Sequence, residues 1–214
     1  MKKILLTIAC LTANLAVVRA DDVALLTLKI GKDKTSRQVA IEFYEADAPQ
    51  TVANFKKLAH KRFYNGLAIH RAFPHILVQM GDPLTARKDR AKVGTGGPGY
   101  TLAPEIRHKH SKGAVAAARL PDKINPARVS NGSQFFICLS PMPTYDGQYT
   151  VFGNVLWGLD TLDQISALPV DSNDYPVDRV EIRSIKVIAR EKLPPPPAPI
   201  VPGPAPKKRW WQLF

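Results

Sequence analysis

The sequence predicts a mainly-β domain, a closed barrel or a two-sheet sandwich capped by helices. Three observations point there. Apolar–polar alternation of period two recurs in about eight short runs, whereas only two stretches carry the periodicity of an amphipathic helix. The 214 residues, 45% hydrophobic and 22% charged, suffice for one good core and not for several.

Ahead of the domain, Lys2 and Lys3 precede an apolar run over 4–18, and "VRA" at 18–20 offers small residues where a signal peptidase cuts. The expected organisation is an export signal over 1–20, a domain over 21–191 and a tail over 192–214. An apolar run of about 15 residues, broken by Asn14, falls short of the roughly 20 that span a membrane. "TIAC" around Cys10 is a poor match to a lipidation site. Cleavage after Ala20 would remove Lys2, Lys3 and Arg19 and no acid, so 27 Lys and Arg would face 18 Asp and Glu and the formal charge would fall from +12 to +9. Such a charge favours acidic partners without naming one. Cys138 would then have no internal disulfide partner in an oxidising compartment, and stability would have to come from packing.

The elements follow in order. "VALLTLKI" at 23–30 and "QVAIEF" at 38–43 alternate as paired strands around the polar turn "GKDKTSR". Asp47 can cap a helix through "APQTVANFKKLAHKRF", where Pro49 suits the first turn and Val52, Phe55, Leu58 and Ala59 share a face. Strand-like pieces come next at 67–73, 77–80, 114–118, 134–138 and 150–155. A second helix over 160–168 carries Leu162, Ile165 and Leu168 as its stripe, and a strand over 179–190 closes the series. From 194 to 206 eight of thirteen residues are proline, which favours an extended segment outside the core. The chain ends "KKRWWQLF".

Most motifs have plain explanations. "GTGGPG" at 94–99 satisfies a GxGxxG pattern, but no strand precedes it and no helix follows, so it reads as a turn and not as a phosphate cradle. Asn131-Gly132-Ser133 reads as a turn leading into "QFFICL" and not as a glycosylation site. "HKH" at 108–110 has no second cluster at metal-ligand spacing and reads as a solvated loop. The basic run "ARKDRAK" at 86–92 lacks an aromatic stacking platform beside it, and nucleic acid is not expected as a partner.

What remains is composite. "IHRAFPHILVQMGD" sets His70, Arg71 and Gln79 in an apolar run, and a polar group buried there without a partner costs about 1–3 kcal/mol. Residues two apart share a strand face, so Leu77 lies with Gln79, Gln134 with Phe136, and Arg71 with Ile69 and Phe73. Such faces are either ordinary surface or a mixed groove suited to an extended peptide.

In order and spacing, "IHRAFPHILVQMGDP", "GTGG", "KGAVAAAR", "NGSQFFICL" and "YDGQYTVFG" resemble the cyclophilin peptidyl-prolyl isomerases, bacterial branch, over about 23–190. The resemblance implies a closed eight-stranded antiparallel β-barrel capped by two α-helices, a packed interior and an active site outside it. It implies Arg71, His70 and Gln79 as catalytic residues, with Arg71 donating to the proline nitrogen of a twisted amide. Substrate contacts are implied at Ile76, Leu77, Ala118, Arg119, Gln134, Phe136, Tyr145, Tyr149 and Phe152. Ile76, Thr144 and Tyr149 depart from the best-known eukaryotic pattern, Ile76 by thinning an aromatic wall, and the loop over 120–130 is enlarged. The implied activity is rotation about Xaa-Pro bonds in exported proteins, in the bacterial periplasm, by a monomer that uses no metal or cofactor. A non-catalytic module binding proline-containing peptides is the alternative. Lys207, Lys208, Arg209, Trp210 and Trp211 would give the tail a contact with an envelope or membrane surface.

Overall fold

The computed structural model describes residues 21–87 and 90–198. The expected export signal and the basic-aromatic end of the tail lie outside the described residues. The elements are β1 (Asp22–Ile30), β2 (Arg37–Phe43), α1 (Pro49–His60), β3 (Arg71–Phe73), β4 (Leu77–Met80), β5 (Ala114–Ala117), β6 (Phe135–Cys138), β7 (Val151–Trp157), α2 (Leu159–Ser166) and β8 (Val180–Ala189). The expected opening hairpin forms, with β1 antiparallel to β2 and Leu26 opposite Val39.

The eight strands make one open, curled antiparallel sheet, a half-barrel, in the order β3-β4-β6-β5-β7-β2-β1-β8. The closed ring expected from the sequence does not form as a continuous ladder. At the free edge of β3 the Ala72 N–H donates to the Asp174 carbonyl (2.9 Å), so β8 finds the chain just before β3 instead. There one bridge, Ala68 opposite Glu181, spans the gap, supported by Ile69 N–H to Val180 O at 3.0 Å and Ile182 N–H to Leu67 O at 2.8 Å.

Strand alternation divides the apolar residues between two clusters. Ala72, Val78, Met80, Val115, Ala117, Phe135, Ile137 and Phe152 face the interior, with Leu26, Leu28, Val39 and Ile41. Leu77, Ala116, Ala118, Phe136, Cys138 and Val151 form a smaller cluster on the outer face. The interior is a packed core, as expected.

α1 and α2 cap this interior through Val52, Phe55, Leu58 and Ala59 and through Leu162 and Ile165. Phe55 stands at the centre of an aromatic group, its ring 5.3 Å from Tyr64, 5.3 Å from Phe135 and 5.4 Å from Phe152. Truncating so buried a ring to Ala costs about 3–5 kcal/mol. Asp47 does not cap α1. Its carboxylate pairs with His108 Nε2 at 2.7 Å, and the first-turn N–H groups of Gln50 and Thr51 donate to the Glu105 carboxylate at 3.0 and 2.9 Å.

Candidate active site

The sheet sets one row of side chains across four strands. Arg71 lies opposite Gln79, Gln79 opposite Phe136 and Phe136 opposite Ala116. Because residues two apart share a face, the next row brings Phe73 and Leu77 alongside. Arg71, Phe73, Leu77, Gln79 and Phe136 line a groove of about 340 Å³ on the outer face of the sheet, completed by Gly94, Asn131 and Gln134 on one wall and by Ala118 to Pro121, Tyr145 and Tyr149 on the other.

The two walls differ in chemistry. On the polar side, Gln79 Nε2 donates to Gln134 Oε1 at 2.9 Å, and Gln134 Nε2 donates to the carbonyls of Gly94 and Gly96 at 3.0 and 2.8 Å. These bonds fix the Gln134 amide, and Gln79 Oε1, with no donor among the described residues, can accept from a ligand. The glycine-rich turn is indeed a turn, and it wraps a carboxylate. Asp82, fully buried, accepts the N–H groups of Leu84 at 2.7 Å, Gly94 at 2.5 Å and Gly96 at 3.1 Å. A Cβ at Gly96 would stand 2.1 Å from Asp82 Oδ1, so this approach requires glycine. Asn131 anchors the turn from the other side, its Nδ2 donating to Gly96 O at 3.0 Å.

On the apolar side, Leu77, Ala118 and Phe136 form a buried floor. Behind it stands His110, stacked on Phe136 with ring centroids 6.0 Å apart, with the rings of Tyr145 and Tyr149 meeting it edge-on. Its Nδ1 is 3.1 Å from Asp146 Oδ1, while Nε2 is buried with no partner among the described residues. Burial holds the His110 pKa below the ordinary value against the pull of Asp146. The "HKH" loop is therefore not simply solvated: His110 is 2% exposed, and His108 stacks on Tyr44.

Arg71 is exposed at the lip, its guanidinium carbon 5.4 Å from the Phe73 ring centroid. It makes no hydrogen bond or ion pair with the described residues. Arg119 is the opposite case. Its side chain, 3% exposed, bonds Asp122 at 2.5 Å, donates from Nε to Gln148 O at 2.8 Å and lies 4.6 Å over the Tyr149 ring. Arg128 bonds the same Asp122 at 2.9 Å. The enlarged loop is thus tied to the groove by a two-arginine clamp.

Three expected positions fall elsewhere. Phe152 is 1% exposed and faces the interior, since alternation along β7 puts Val151 on the groove side. Ile76 sits 45% exposed between β3 and β4, and Phe73 supplies the aromatic wall in its place. His70 is 2% exposed and lines an adjoining compartment, and burial pushes its pKa down to about 4. Sequence reasoning missed Phe73, Asn131 and His110. Phe73 was recoverable from its alternation with Arg71, whereas nothing local in "HKH" places His110 behind the groove.

A family model described as "Cyclophilin type peptidyl-prolyl cis-trans isomerase/CLD" matches residues 26–187. Among curated relatives, the peptidyl-prolyl cis-trans isomerase of Helicobacter pylori is 38% identical over 66% of this chain and 80% of its own length. Peptidyl-prolyl cis-trans isomerase-like 1 of Aspergillus niger is 31% identical over 73% of this chain and 92% of its own. The crystal structure of a Cryptosporidium parvum cyclophilin-type isomerase superposes with a TM-score of 0.67 at 25% identity, covering 78% of this chain and 97% of that one. The same protein solved in the presence of the dipeptide Ala-Pro gives 0.65. With the sheet, the outward groove and the matched span in agreement, the chain belongs to the cyclophilin-type peptidyl-prolyl cis-trans isomerases.

Proposed function

We propose that this chain accelerates rotation about Xaa-Pro bonds in exported polypeptides, with Arg71 stabilising the twisted amide. The observation that carries this is the Arg71 guanidinium, without a hydrogen-bond or ion-pair partner among the described residues, at the lip of a groove floored by Leu77 and Phe136. An Xaa-Pro bond faces a rotation barrier of about 18–20 kcal/mol. In the planar amide the proline nitrogen shares its lone pair with the carbonyl and accepts no hydrogen bond. Twisting the bond returns that lone pair. A guanidinium is a permanent donor, so Arg71 at this nitrogen favours the twisted state over either planar one, as acceleration requires. A roughly 10⁵-fold acceleration needs only about 7 kcal/mol of such selective stabilisation. Phe73, Leu77, Phe136 and Tyr145 would hold the proline ring, and the side-chain oxygen Oε1 of Gln79 would accept a substrate N–H.

Export rests on the signal-like residues 1–20, and the periplasm on the resemblance of the motifs to the bacterial branch. Contact of the basic-aromatic end of the tail with an anionic membrane surface belongs to the same proposal. The test is NMR exchange of an Ala-Pro peptide with the protein from Asp21 onward. Catalysed exchange is expected, and Arg71→Ala should lower it about 10²- to 10³-fold, as loss of one transition-state donor does. Binding without any catalysed exchange would make the groove a recognition module instead.

A further inference from the structure

Arg71, Gln79 and Gly94 have space on both sides. A compartment of about 440 Å³ lies between residues 90–95 and residues 171–175, and these three residues line both it and the groove. Its outer wall is held by contacts within the chain. The Arg90 guanidinium carbon lies 4.1 Å from the Tyr175 ring centroid, and Arg90 stands 3.8 Å from the Asp171 carboxylate. Asp171 Oδ1 in turn accepts the N–H groups of Asn173 and Tyr175 at 2.8 and 3.2 Å. The Asp174 carbonyl ties this loop to β3 through Ala72 N–H at 2.9 Å.

Two charges on the lining are unengaged. Neither the Arg71 guanidinium nor the Asp174 carboxylate has a hydrogen-bond or ion-pair partner among the described residues. Arg90 adds a second, partly engaged cation. An incoming carboxylate would meet Asp174, an ammonium would meet Arg71 and Arg90, and an alkyl chain would strip water from both charges and pair with neither. A carboxamide carries an acceptor and donors on one neutral group. We infer that this compartment is a specificity subsite for the carboxamide side chain of a Gln or Asn flanking the prolyl bond, an inference that rests on the isomerase reading of the groove.

The experiment is NMR exchange with the protein from Asp21 onward, on peptides in which the residue on either side of an Ala-Pro pair is Gln, Glu, Lys or Leu. At one flanking position Gln is expected to exceed Leu in catalytic efficiency by about five- to tenfold, the effect of one or two hydrogen bonds. Asp174→Asn preserves the shape of the residue, and Asn tolerates its left-handed backbone, φ 60°. That variant should transfer the preference from Gln to Glu, because Arg71 then meets a carboxylate with no unengaged aspartate beside it, the remaining Asp171 being paired with Arg90. Equal rates for all four peptides, a wild-type preference for Leu, Lys or Glu, or an order that Asp174→Asn leaves unchanged would overturn the subsite. Failure to accelerate even the plain Ala-Pro peptide would remove the isomerase reading beneath it.

Discussion

At the scale of single residues, His70 links the sequence to a pH dependence. An imidazole that is 2% exposed, with neither ring nitrogen partnered among the described residues, is stable only while neutral, and its pKa lies at about 4 against 6.5 for the free side chain. Between these values the unfolded chain binds a proton that the folded chain refuses. Stability is therefore complete above about pH 6.5 and falls as pH drops toward 4, by roughly 3 kcal/mol from this residue. His110, depressed in the same direction, adds loss of the same sign. Urea unfolding between pH 7 and pH 4 should show a steeper decline for the native protein than for His70→Asn. Parallel curves would mean that His70 does not titrate on unfolding. The same scale shows how alternation decides a role: Val151 and Phe152 are neighbours in "TVFG", yet one backs the groove and the other fills the core.

At the scale of elements, α1 starts on a partner 55 positions away in sequence from Gln50. Glu105 accepts two first-turn N–H groups and the Thr51 hydroxyl, the last at 2.7 Å, and its charge faces the positive end of the helix dipole. Glu105→Ala is expected to cost about 1–2 kcal/mol, the effect of losing a good N-cap. Urea unfolding checks this, and Thr51→Ala should cost much less in the Glu105→Ala background than alone, because the two share one interaction. Asp47 looked like the cap because it precedes Pro49 at the right spacing. Its carboxylate is engaged by His108, which only the chain's return past α1 brings near. Strand positions, by contrast, were legible: β4 coincides with the expected 77–80, because period-two alternation is written in adjacent residues.

At the scale of the whole molecule, the buried apolar residues among those described run from Val23 to Ile185. Cys138, fully buried and with its pKa raised by burial to about 12, serves as a small apolar group on the outer cluster. A proline-rich, basic-aromatic stretch offers no periodic apolar face to pack, so deleting residues 199–214 is expected to leave the melting temperature within about 2 °C. The deletion should also abolish cosedimentation with vesicles containing anionic lipid. Equal cosedimentation of the two forms would dismiss the membrane contact.

Local order and spacing alone carry the family, the order of the strands and helices, and the separation of an inner from an outer apolar face. The tertiary structure alone decided that Arg119 is clamped while Arg71 meets no carboxylate among the described residues, since identical guanidinium groups differ only in the carboxylates that folding brings to them. It also decided that the sheet is open, because the edge of β3 is occupied by a loop about 100 residues further along the chain. Hydrogen-bond partners that distant leave no periodic trace in the sequence.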